Sequence, residues 1–107
     1  MEEKTEQQTL RKGFFPVRIS VEMQTAERWA DQAEELLHTF VQKMAEKYDL
    51  QVLDQPHKSA STIRRAEGVI AVPFPDRERI RIDFNIFASE MEEEHGTELY
   101  FHMESAF

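Results

Sequence analysis

Residues 79–107 read RIRIDFNIFASEMEEEHGTELYFHMESAF. In the first half, Ile80, Ile82, Phe84 and Ile86 alternate with Arg79, Arg81, Asp83 and Asn85. At the end, Leu99, Phe101 and Met103 alternate with Tyr100, His102 and Glu104. A period of two sends successive side chains to opposite faces of a strand. Two such runs around the acidic stretch Glu90–Glu94 and the turn pair His95-Gly96 predict a β-hairpin. Its strands run from about Glu78 to Ala88 and from about Thr97 to Ala106.

The pattern also proposes a register. With Phe87 opposite Glu98, Ile86 faces Leu99, Phe84 faces Phe101 and Ile82 faces Met103. The other face then pairs Asn85 with Tyr100, Asp83 with His102 and Arg81 with Glu104. A slip of one residue would set apolar against polar throughout, so both faces favour this register. Cross-strand pairs contribute roughly 0.2–1 kcal/mol each, which by itself accounts for the polar row.

Upstream, Phe15, Val17, Ile19, Val21 and Met23 alternate with Pro16, Arg18, Ser20 and Glu22, predicting a half-buried strand. Thr25 offers a helix N-cap. Apolar residues then recur at three and four: Ala26, Trp29, Ala30, Ala33, Leu36, Leu37, Phe40, Val41, Met44, Ala45 and Tyr48. This is a long amphipathic helix whose stripe is core. Leu50–Leu53 predicts a short strand and QPHKSAS a loop. A β-rich stretch from about Thr62 to Phe74 follows, with Gly68 marking a bulge or bend and Pro75-Asp76 a turn. Residues 1–12 are a polar tail or short helix that Gly13 can close, and residues 13–107 form a single domain.

The expected fold is α+β: one long helix packed on an antiparallel sheet of about five strands, in the order β-α-β-β-β-β. That order is similar to cystatin-like folds. The likeness is one of topology, because the inhibitor motif Gln-x-Val-x-Gly has no counterpart; QVLDQ at Gln51–Gln55 does not match it. One helix leaves part of such a sheet uncovered. With Phe14, Val52, Phe74, Phe87 and Phe107 left over, a homodimer through the sheet face or a sheet edge is expected.

Composition narrows the function. Net charge is −8, and residues 89–107 carry six glutamates with no Lys or Arg. Binding to nucleic-acid phosphates depends on Lys and Arg displacing counterions, so direct nucleic-acid binding is not expected. No run approaches the roughly 18 apolar residues of a membrane span. MEEKTEQQTLRKG lacks the apolar core of a signal peptide. There are no cysteines, which excludes disulfides, cysteine nucleophiles and cysteine–zinc sites and fits a reducing, cytoplasmic setting. Three glycines build no phosphate-cradling loop. His38, His57, His95 and His102 sit at no metal-ligand spacing, and no HExxH occurs. No cofactor or metal is expected.

The expected function is therefore a small acidic, non-catalytic protein-binding module of inhibitor, immunity, anti-defence or adaptor type. Its candidate binding residues are Arg81, Asp83, Asn85, Glu92, Glu93, Glu94, Tyr100, His102 and Glu104, on the sheet face and acidic hairpin. No catalytic residue is assigned. A second reading makes Asp83 and His102 an acid–base dyad for a small molecule, since a carboxylate orients an imidazole and raises its pKa. A third makes the carboxylates a mimic of nucleic acid, although Arg79 and Arg81 interrupt them.

Overall fold

The computed structural model describes residues 10–23, 29–60, 65–95 and 99–106. The tail up to Thr9, the N-cap Thr25, Glu98 and Phe107 lie outside them. Strand β1, Phe14–Met23, leaves a tight turn in which the Phe14 N–H donates to the Arg11 carbonyl at 3.1 Å. Gly13 has φ +83° at the third position of this turn. That is type II geometry, which glycine adopts without a Cβ clash.

Helix α1, Trp29–Lys47, follows the expected stripe: Ala33, Leu36, Leu37, Phe40, Val41 and Met44 are buried. Ala45, assigned to the same stripe from sequence, is exposed. Strands β2, Gln51–Lys58, and β3, Arg65–Pro73, pair antiparallel with two register shifts, at Val52/Asp54 and Asp54/His57, so β2 continues through Gln55–Lys58, which were expected as loop. Gly68 lies on β3 against this irregular segment. A Cβ there would stand 3.0 Å from the Asp54 carbonyl oxygen and 3.1 Å from Pro56 Cα. Glycine is needed because the bulged backbone of β2 comes so close.

Beyond β3 the structure corrects the sequence reading. Residues expected as a strand from Glu78 to Ala88 form the first part of helix α2, Arg77–His95. The expected turn at Pro75-Asp76 belongs to a single 3₁₀ turn, Phe74–Asp76, that leads into it. Ile80, Phe84 and Phe87 are buried and Met91 packs beside them, a spacing of three and four residues. The period of two came from Ile82 and Ile86, which are about half exposed, 52% and 51%, on the outer side. Interior demand thus set the period, and two exposed isoleucines imitated another.

Strand β4, Leu99–Ser105, pairs with β1. The hairpin register proposed from sequence does not form. Phe101 does meet Phe84, as a helix–sheet contact at 5.7 Å between ring centroids. Among the described residues the sheet has four antiparallel strands, where about five were expected, in the order β2-β3-β1-β4. With α1 and α2, the described elements run βαββαβ, the split βαβ or ferredoxin-like arrangement rather than the cystatin-like one. The α+β class holds. Both helices contribute to one core with Val17, Ile19, Val21, Ala66, Ile70, Val72 and Leu99, all on one sheet face. Phe87, expected to be left over, is buried; Phe14 and Val52 are half-buried and Phe74 is exposed.

Phe84→Ala is expected to cost about 3–5 kcal/mol in denaturant unfolding, whereas Ile82→Ala and Ile86→Ala should each stay within about 0.5 kcal/mol. Equal losses at all three would restore the strand.

Candidate binding face

Strand alternation puts Arg18, Ser20 and Glu22 of β1 on the face opposite the core. The registers extend them into rows: Tyr100, Glu22 and Arg65; His102, Ser20, Glu67 and His57; Glu104, Arg18, Val69 and Asp54. The two helices pack on the other face, so among the described residues no helix covers these rows. Arg18, Ser20, Arg65, Glu67, His102 and Glu104 line a shallow depression of about 520 Å³.

The rows are joined by charge. Arg18 Nη1 lies 3.8 Å from Glu104 Oε2, and His102 Nε2 lies 3.2 Å from Glu104 Oε1. Arg65 Nε stands 3.5 Å from Glu67 Oε1. His57 Nδ1 donates to the Lys58 carbonyl at 2.9 Å, and its Nε2 faces Asp54 Oδ2 at 2.9 Å. A ring with an acceptor at each nitrogen favours the imidazolium. The Lys58 carbonyl, then the Asp54 carboxylate, raise the His57 pKa above its ordinary value despite some burial.

The nine residues singled out from sequence separate into two groups. Tyr100, His102 and Glu104 lie on the open sheet face. Arg81, Asp83, Asn85, Glu92, Glu93 and Glu94 are on α2. Arg81 Nη2 donates to Glu78 Oε1 at 2.7 Å, and Glu92 Oε2 accepts the Leu99 N–H at 3.3 Å. The Arg81–Glu104 and Asp83–His102 pairs are therefore replaced by other partners. Asp83 instead clamps the helices together: its Oδ2 accepts from Lys47 Nζ at 3.0 Å and from the Tyr48 hydroxyl at 2.8 Å. The Lys47 hydrogen bond, followed by that of Tyr48, holds the Asp83 carboxyl below its ordinary range against partial desolvation. Glu90, Glu92, Glu93 and Glu94 crowd the C-terminal end of α2, where the helix dipole disfavours negative charge.

Sequence reasoning missed Arg18, Ser20, Glu22, Asp54, His57, Arg65 and Glu67 as members of the face. The polar phase of β1 was visible; what was missing was that β1 is a central strand with β4 beside it. Among the described residues no three His, Asp or Glu side chains converge as a metal site, and no helix is long and apolar enough to cross a membrane.

No protein-family model and no curated protein matches the chain. A solved structure does: the crystal structure of aminoacylhistidine dipeptidase from Vibrio alginolyticus, with a TM-score of 0.77 and 19% sequence identity. The match covers 92% of this chain but 22% of that one, so the chain spans about a fifth of the dipeptidase. The likeness shows the fold alone.

Two pH effects follow. His57, with a raised pKa, contributes stability that is full below its unfolded value near 6.5 and is lost as pH rises through the folded value. His57→Gln should flatten that decline in thermal melts. Asp83, with a lowered pKa, contributes stability that is full above its unfolded value near 3.9 and is lost as pH falls through the folded one. At neutral pH Asp83→Ala should cost about 1 kcal/mol, a difference that shrinks in acid. A constant difference down to low pH would contradict the clamp.

Proposed function

We propose that this chain is a small acidic, non-catalytic protein-binding module that works as a homodimer and presents its open sheet face to another protein. The observation that carries the reading is the polar part of one face of the four-stranded sheet, from Arg18 to Glu22 on β1 and their neighbours, with both helices on the opposite side. Tyr100, His102 and Glu104 supply one border of that surface, and Arg18 and Ser20 its middle. The acidic end of α2 adds a negative margin that favours a partner with basic groups. The absence of cysteine fits a reducing, cytoplasmic setting.

The acid–base reading has lost its pair, since Asp83 is held by Lys47 and Tyr48. His57 and Asp54 supply a replacement carboxylate–imidazole pair. Their side chains are 44% and 52% exposed, and a solvated pair of this kind has little leverage on a reaction. Nucleic-acid mimicry draws little support from a face that contains Arg18 and Arg65. Peptidase activity belongs to the whole dipeptidase in the comparison, and a shared fold does not carry it across.

Native mass spectrometry of the chain captured from its host should find a second protein in fixed ratio. Combining Arg18→Glu with His102→Glu should abolish the complex, while Ile82→Ala should leave it intact. A bound small molecule, or a complex indifferent to the sheet-face changes, would contradict the proposal.

A further inference from the structure

The two edges of the sheet are built differently. Edge strand β2 carries Pro56, Lys58 and two register shifts, devices that keep other strands from adding. Edge strand β4 has none of them. It runs seven residues, LYFHMES, without proline, lysine or arginine, and pairs with β1 in unbroken register. The Ala106 N–H donates to the Pro16 carbonyl at 3.1 Å, so even-numbered residues of β4 bond to β1. Phe101 and Met103 therefore turn their backbone N–H and C=O groups toward the outer edge, while the Leu99 N–H, at the start of the strand, is taken by Glu92 Oε2.

We infer that β4 pairs antiparallel with β4 of a second copy of this chain, joining two sheets into one of about eight strands. This rests on the homodimer reading and names its surface. Full overlap of the seven residues places His102 opposite its own counterpart on the two-fold axis. Phe101 then faces the partner's Met103, and Tyr100 faces the partner's Glu104. The backbone groups that pair are those of Phe101 and Met103, each with the other residue of the partner copy. Phe101 and Met103 are only partly buried at the rim of the core. The pairing covers them from the side and makes the two cores continuous.

Helix α2 supports the same axis. It packs on β4, and Asp83, Ile86, Phe87 and Glu90 line a groove with Lys43 and Lys47 of α1. The flank turned away from α1 thus carries Arg81, Asn85, Ala88 and Glu92, spaced four, three and four. A two-fold axis at β4 sets two such flanks antiparallel. Arg81, which keeps one nitrogen on Glu78, then meets the partner's Glu92, which keeps one oxygen on the Leu99 N–H, at both ends, across small Ala88 and neutral Asn85. Complementary charge at both ends of a self-matched stripe selects a second copy as the occupant.

Sedimentation over a range of concentrations tests the inference. The chain should sediment at twice its 12.6 kDa mass. Met103→Pro removes one outward N–H and spares the β1 ladder, and should give a folded monomer. Arg81→Glu should weaken the dimer about tenfold, and Arg81→Glu with Glu92→Arg should restore it. A dimer unmoved by all of these would overturn the β4 interface and leave the homodimer standing. A wild-type chain that stays monomeric, with or without an extended peptide of another protein on β4, would overturn both.

Discussion

Two rings of α2 hold this fold together. Phe84 and Phe87 each meet Phe40 of α1, at 4.9 and 5.4 Å, and each meets Phe101 of β4, at 5.7 and 5.8 Å. Four aromatic side chains thereby join the first helix, the second helix and an edge strand. Aromatic pairs add about 0.5–1.5 kcal/mol beyond the area they bury. Their larger effect is geometric. Because α2 must bring Phe84 and Phe87 to the sheet, both helices lie on one face, and among the described residues no helix covers the polar rows on the other. The Asp83 clamp to Lys47 and Tyr48 then fixes α2 against α1 from the outer side.

The first half of the chain was legible because one period dominated each segment. Phe15 to Met23 alternates, and the β1 strand follows it. Leu36, Phe40 and Met44 recur at helical spacing, and α1 follows them. Residues 78–88 satisfy two periods at once. Ile80, Phe84, Phe87 and Met91 fit a helix; Ile80, Ile82, Phe84 and Ile86 fit a strand. Local pattern does not choose between them, and the partner surface does: Phe40 and Phe101 offer places to rings spaced three and four apart. Misreading this segment placed residues of a helix on the candidate sheet face. Tyr100, His102 and Glu104 were rightly put on an outward sheet face, whereas Arg81, Asp83 and Asn85 were placed opposite them and belong to a helix. The true neighbours, Arg18, Ser20 and Glu22, lie some eighty residues away in sequence, where no short-range pattern reaches.

The open polar rows and the regular edge strand fit one design. An edge strand that presents seven regular residues is a hazard unless something occupies it. Pairing through β4 would remove the hazard and double the polar face, with His102 at its middle. Such a surface suits recognition of another protein, where complementary charge sets orientation and rejects wrong partners. The acidic end of α2 stands against its own helix dipole, a cost that a basic partner would offset.

The placement of Phe84 tests the account most directly. In a nuclear Overhauser spectrum its ring protons should contact the rings of Phe40 and Phe101, with sequential amide contacts running through residues 80–88. Cross-strand contacts between Asp83 and His102, with no amide ladder in that stretch, would return the segment to a hairpin and remove the open polar rows on which the proposed function rests.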